Sequence, residues 1–321
     1  MYAYKHTLFS CIKYYKMKQL LSGLVAAICM AQSATACDVC GCTASNQFMG
    51  ILPAYRYNFA GIQFLSSNFS ATSESLYAGR PATLSCENYQ TLQVWGRYNL
   101  GHNYQVFVFV PYQYNTHSEG GSRIATWSGI GDISAMVSRK LWSRDNCSNS
   151  QVWVAGIGIK APTGQHKGIM ETDKLGLPNM QPGSGATDIL LSTYYNQKIN
   201  NWSVTADAGY TFTTSSNDQY KYGNRLNTSL LAARVMTLGK FTLQPLAGGR
   251  LEYSLHDYDN YSRKWLNESS GGYMLFAVAG IQAYYKKAGA RITYQAPLSQ
   301  KYSEGNVAAN YKFETGIFYL F

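Results

Sequence analysis

Three cysteines fall within six residues, Cys37-Asp38-Val39-Cys40-Gly41-Cys42. Sulfur ligands at C-x-x-C-x-C spacing suit a soft ion such as Cu(I) or Zn(II). In an oxidising compartment the same thiols form disulfides instead. Cys86 and Cys147 follow, so five cysteines lie beyond residue 36. An odd count leaves at least one thiol free, metal-bound, lipidated or paired between chains. Three readings stand: disulfides among Cys37, Cys40, Cys42, Cys86 and Cys147; a copper or zinc centre at the first three; or an acyl anchor on Cys37 with a disulfide besides. The cofactor expectation is none, with copper or zinc at Cys37, Cys40 and Cys42 as the alternative.

No other cluster has a catalytic pattern. His117, His166 and His256 fall in polar connecting segments and His102 in a short turn, where a solvated imidazole is ordinary. No H-E-x-x-H, G-x-S-x-G or G-x-x-x-x-G-K-[ST] motif occurs, so no enzyme is expected. No run of Lys and Arg interleaved with aromatics marks a nucleic-acid surface. The charges of interest sit inside alternating stretches, on the polar parity: Arg97, Lys140, Lys160, Asp207, Arg250, Glu252, Arg291, Lys312 and Glu314. Asp132 joins them at a Gly-rich strand start. As residues lining a wet interior, six bases against three acids favour anionic or polar solutes.

The elements that position these residues begin after a leader. Leu20–Ala36 is apolar, follows Met17-Lys18 and ends in Ala34-Thr35-Ala36. A charged start, an apolar run and an A-x-A end make a secretory signal peptide, with Met17 as the expected start and cleavage after Ala36. Four lysines and no acid leave with residues 1–36, so the net charge falls from +10 to +6. Residues 37–58 form a Cys-containing segment, and residues 59–321 one domain.

The chain has 321 residues, of which 46% are hydrophobic and only 14% charged, with 27 Tyr and 29 Gly. That excludes disorder, which needs low hydrophobicity and high charge. Beyond Leu20–Ala36 no stretch approaches the roughly 20 apolar residues of a membrane helix. Apolar residues instead occupy every second position. Phe241, Leu243, Pro245, Ala247, Leu251 and Tyr253 alternate with Thr242, Gln244, Arg250 and Glu252. Ala288, Ala290, Ile292 and Tyr294 alternate with Arg291, Thr293 and Gln295. Aromatics at the strand ends (Tyr98, Tyr104, Trp142, Trp153, Trp202, Tyr285) have the positions of interfacial girdles.

About twelve strands are expected, near 59–70, 89–100, 104–115, 129–141, 152–162, 186–199, 202–214, 224–238, 241–255, 271–285, 287–297 and 310–321. Facing is ambiguous at 104–111 and around Ile189, where both parities are apolar. Short turns near Gly101–Asn103, Asn200–Asn201, Gly239–Lys240 and Lys286–Lys287 alternate with long polar segments such as Ala71–Asn88, Thr116–Ser128 and Thr163–Gly185. That rhythm, with an even strand number, belongs to outer-membrane barrels. Strands can span lipid only as a closed ring, since every backbone group needs an internal partner. The expected fold is all-β, a transmembrane antiparallel barrel in the outer membrane of a Gram-negative bacterium. Cys147 then lies on the periplasmic side and Cys86 in the first outer loop.

The chain ends in aromatic-x-Phe, Tyr319-Leu320-Phe321, a terminal signature through which the barrel-assembly machinery recognises such proteins. Gly129-Ile-Gly-Asp132, Ile157-Gly-Ile-Lys-Ala-Pro-Thr-Gly164 and Gly183-Ser-Gly-Ala-Thr-Asp188 occur in that order. With them, residues 89–321 resemble the outer-membrane barrels named after the phenol meta-cleavage pathway, which are distantly similar to long-chain fatty-acid porins. The resemblance implies a transporter passing small, including hydrophobic, molecules. The expected function is passive diffusion of a small-molecule solute through a barrel set in outer-membrane lipid. The alternative is a membrane anchor or binding protein whose Cys37-Cys40-Cys42 cluster handles a soft metal or docks a periplasmic redox partner.

Overall fold

The structure, a computed structural model, describes residues 57–73, 83–146, 149–166, 178–216, 220–260, 263–267 and 270–321. The expected signal peptide, Cys37, Cys40, Cys42 and Cys147 lie outside those residues.

The strands in chain order are β1 (Phe59–Ser73), β2 (Thr83–Leu100), β3 (Tyr104–Glu119), β4 (Ser122–Ile130), β5 (Ser134–Asn146), β6 (Asn149–Lys160), β7 (Asp188–Ile199), β8 (Trp202–Phe212) and β9 (Tyr220–Lys221). They continue as β10 (Arg225–Arg234), β11 (Met236–Leu238), β12 (Phe241–Ser254), β13 (Tyr258–Asp259), β14 (Lys264–Trp265), β15 (Gly272–Tyr285), β16 (Ala288–Tyr302) and β17 (Val307–Leu320). β4 and β5 form one stave, broken at Gly131-Asp132-Ile133, and β11 continues β10 past Val235. Neighbouring staves pair antiparallel. β1 closes on β17 with Phe59 opposite Leu320, giving a closed 12-strand barrel.

The alternation in the sequence is what closes this ring with two unlike faces. Side chains of a strand point to opposite sides in turn, and here the usual polarity is inverted. Outward Ile317 is 66% exposed and Ile157 59%, whereas inward Gln295 is 0% and Gln63 5% exposed. An exterior of Val, Ile, Leu and aromatics suits an apolar solvent, and the polar parity faces the enclosed side. Short turns join the staves at one end, where Gly101 (φ 67°), Asn200 (φ 52°) and Gly239 (φ 61°) take the left-handed conformation that tight hairpins demand.

The structure departs from the sequence expectation at the other end. Thr116–Ser128, expected as a loop, is the hairpin of β3 and β4 turning at Gly120-Gly121 (φ 54° and 84°). β2 starts at Thr83, so Cys86 sits on a strand rather than in a loop; it is half-buried and forms no disulfide among the described residues. β16 and β17 likewise run through much of Leu298–Ala309, and β9, β13 and β14 make a separate three-stranded sheet in the long connections. Beyond the apolar belt both strand faces are polar. Ladder hydrogen bonds still form there, but the period-two polarity that marks a strand is lost. Where both parities are apolar, Phe107, Phe109 and Leu190 point inward and Val108, Ile189 and Leu191 outward.

Candidate functional site: the barrel interior

The inward positions form three layers along the strands. Towards the short turns, Phe59, Trp95, Phe107, Phe109, Met136, Phe318 and Leu320 make one apolar cluster. Phe318 has room because both its ladder neighbours, Gly61 and Gly289, lack a side chain. A Cβ at Gly289 would sit 2.3 Å from its ring. Towards the long connections, Phe69, Tyr89, Met180, Met274, Phe276, Tyr302 and Val307 make a second cluster. Between them lies a polar layer, legible along β1 as Phe59, Gln63, Ser67, Phe69.

In that layer Lys312 Nζ lies 2.6 Å from Glu252 Oε2, and Arg250 Nε 3.1 Å from Glu252 Oε1. Arg250 and Arg291 each approach Glu314 at 3.9 Å. Gln295 donates to Glu314 Oε1 (3.2 Å), Arg291 to Gln63 Oε1 (3.0 Å), and Gln63 to Gln93 Oε1 (2.5 Å). The Lys312–Glu252 pair joins β17 to β12, which have two staves between them, so part of the network bridges across the inside of the barrel. Buried charges persist only when paired. Their cationic members also lean on the apolar layers: Lys312 stands 4.9 Å from the Phe276 ring centre and Arg291 5.3 Å from that of Trp95.

A second group latches the segment between β6 and β7. Asp132, in the gap between β4 and β5, accepts from Gly164 N (3.0 Å) and from Ser184 N (2.9 Å) and Oγ (2.6 Å). Lys160 Nζ lies 2.5 Å from Asp188 and 3.6 Å from Asp132. Gly164 and Gly183 pack backbone to backbone, where a Cβ on either would fall 2.6 Å from the other. So held, residues 178–187 turn inward: Pro182 O accepts from Gln113 Nε2 (3.1 Å), and Met180 O from Asn115 Nδ2 (2.9 Å). The Met180 side chain thereby enters the upper apolar layer.

The residues proposed from sequence therefore separate. Arg250, Glu252, Arg291, Lys312 and Glu314 meet in the central network. Asp132 and Lys160 meet in the latch, completed by Asp188. Arg97 sits at the short-turn end, donating through Nε (3.2 Å) and Nη2 (2.5 Å) to Tyr57 O. Asp207 accepts from Ser229 Oγ and, with Arg250, Asn227 and Tyr194, lines a cavity of about 50 Å³. Lys140 is half-buried at a register shift in β5, apart from both groups. Sequence reasoning missed Gln63 and Gln93, which extending the period of two would have found; Gln295 was on the polar parity but not among the proposed residues.

Two titratable clusters lie beyond the apolar belt. His117, flanked by Thr116 and Ser118, has Nδ1 3.3 Å from Glu87 and Nε2 3.1 Å from Glu119. The Glu87 carboxylate raises its pKa above 6.5, burial opposes this, and Glu119 adds to it. Asp257 accepts from Tyr220 OH and Gly223 N, and its own N–H donates to Ser270 Oγ. Burial raises the carboxyl's pKa, partly offset by the Tyr220 and Gly223 hydrogen bonds.

A closed 12-strand ring, apolar outside and charged within, has the architecture of a transmembrane β-barrel. The chain belongs to the family described as "Putative MetA-pathway of phenol degradation", whose model matches residues 87–247. Among solved structures, 85% of the chain aligns with the whole of an outer-membrane channel from Pseudomonas putida F1, at TM-score 0.62 and 11% identity. The β domain of the Bordetella autotransporter BrkA aligns in full with 83% of the chain, at TM-score 0.47 and 10% identity. For a Pseudomonas aeruginosa FadL homologue the shares are 82% of this chain and 90% of that one, at TM-score 0.38 and 11% identity. The first of these shares the fold of this chain. No curated protein matches the sequence.

Proposed function

We propose that this barrel sits in the outer membrane, with its short turns in the periplasm, and passes small molecules by passive diffusion. One observation carries the reading: a charged network spans the interior between two apolar layers. A solute moving along the axis passes an aromatic layer, a polar layer and a second apolar layer. That sequence suits small amphipathic molecules with an apolar body and a polar group. A wet interior is also supported by acceptors without protein partners among the described residues, Gln105 Oε1, Gln282 Oε1 and Gln295 Oε1, because buried polar atoms need a partner. Arg97, Lys140, Lys160, Asp207, Arg250, Glu252, Arg291, Lys312 and Glu314 line the path in this reading, with Asp132 at its loop-side rim.

The test is single-channel recording in planar bilayers, together with uptake of a panel of small solutes by liposomes holding the purified protein. Discrete conductance and faster uptake are expected, and replacing Lys312 by Met should shift selectivity away from anions. Absence of both conductance and uptake defeats the proposal.

A further inference from the structure

On the outer surface, at the short-turn end, lies a groove of about 760 Å³. Its floor is the methyls of Ala288 and Ala290 on β16 and Ala283 on β15, with Gly289 between them. One wall is Tyr319 and Ile317 of β17, and the other is Tyr285 and Phe241, whose rings pack at 4.8 Å. The register makes the groove continuous: Tyr319 lies opposite Ala288, Ile317 opposite Ala290, and Ala283 opposite Ala290 on the other side. Outward Ile292 and Tyr294 follow along β16.

The charged side chains at the mouth of this groove are of one sign. Lys286 and Lys287 form the turn between β15 and β16, and Lys240 immediately precedes Phe241. All three are exposed, and no described carboxylate pairs with them. Lys286 Nζ stands 5.6 Å from the Tyr285 ring centre, directly on the groove wall. An apolar slot walled by girdle aromatics, opening beneath three ammonium groups without a carboxylate partner among the described residues, complements a phospholipid with an anionic head. Basic residues at the membrane surface attract such lipids electrostatically.

We propose that this groove is a specific site for one anionic phospholipid of the inner leaflet of the outer membrane. One acyl chain lies over Ala288 and Ala290, and the phosphate is held by Lys240, Lys286 and Lys287. The inference rests on the membrane placement proposed above, though not on conduction.

Native mass spectrometry of the detergent-purified full chain, offered equimolar phosphatidylglycerol and phosphatidylethanolamine, tests it. One retained phosphatidylglycerol per barrel is expected, at least fivefold over phosphatidylethanolamine. The triple variant Lys240→Gln, Lys286→Gln, Lys287→Gln should lose that preference, and Ala290→Phe should lose retention of either lipid. Lys198→Gln, on another sector of the same rim, should change nothing. Heat-modifiable migration on gels checks that each variant is folded. Equal retention of the two lipids by the unsubstituted protein, or full phosphatidylglycerol retention by the triple variant, overturns the site. A dimer abolished by Ala290→Phe, without bound lipid, assigns the groove to self-association instead. Failure to insert into bilayers would defeat the membrane placement itself, whereas insertion without lipid preference defeats only the site.

Discussion

At the residue scale, titration is the most direct handle on the polar clusters. The His117 imidazole has a raised pKa in the folded barrel because Glu87 and Glu119 favour its charged form. A group whose pKa rises on folding stabilises the fold below its unfolded value and loses that contribution as pH climbs through the folded one. The outer ends of β2 and β3 should therefore be tightest below about pH 6.5 and loosen as the pH rises further. Amide hydrogen exchange in residues 84–90 and 113–119 across pH 5.5 to 8 reads this. Replacing His117 by Gln should flatten the profile, and an unchanged profile would remove His117 from the account. Asp257 carries the same sign for the β9, β13 and β14 sheet, since burial also raises its pKa. The period of two marked which charges share a parity. It gave no hint that Glu87 and His117 would meet, because Glu87 lay in a presumed loop.

At the element scale, the latch around Asp132 explains why three Gly-rich motifs far apart in sequence recur in one order. Each supplies part of a single junction: the break between β4 and β5, the end of β6 and the return into β7. Asp132→Ala removes three hydrogen bonds and leaves Lys160 with Asp188 alone. Limited proteolysis within 161–187 is expected to quicken severalfold, and conductance to rise as Met180 leaves the interior. Faster cleavage at constant conductance would show that this segment does not obstruct the path. The sequence shows these Gly-rich motifs and their order, but their mutual contact depends on how the staves are brought together. Strand ends beyond the belt were read short for a different reason: polar residues on both faces erase the alternation while the hydrogen-bond ladder continues.

At the scale of the whole molecule, the two faces of the wall should respond oppositely to the same change. Lysine at outward Ile292 places a charge in the apolar belt and should cost about 2–4 kcal/mol. Lysine at inward Gln295, three residues away on the same strand, should alter selectivity with a smaller effect on stability. Urea unfolding in lipid vesicles, paired with bilayer recordings, compares them; equal stability losses would contradict the assignment of faces. The ring itself was determined by the sequence, because alternation, turn chemistry and the rhythm of short and long connections are local properties. A strand with one apolar face and unpaired edges in lipid has only closure available to it. What lies inside was decided by tertiary structure alone. Lys312 and Glu252 are 60 residues apart, on staves that share no ladder. Their meeting depends on the register of the two staves between them and on the curvature that brings their inner faces within reach. No period or motif along the chain encodes that distance.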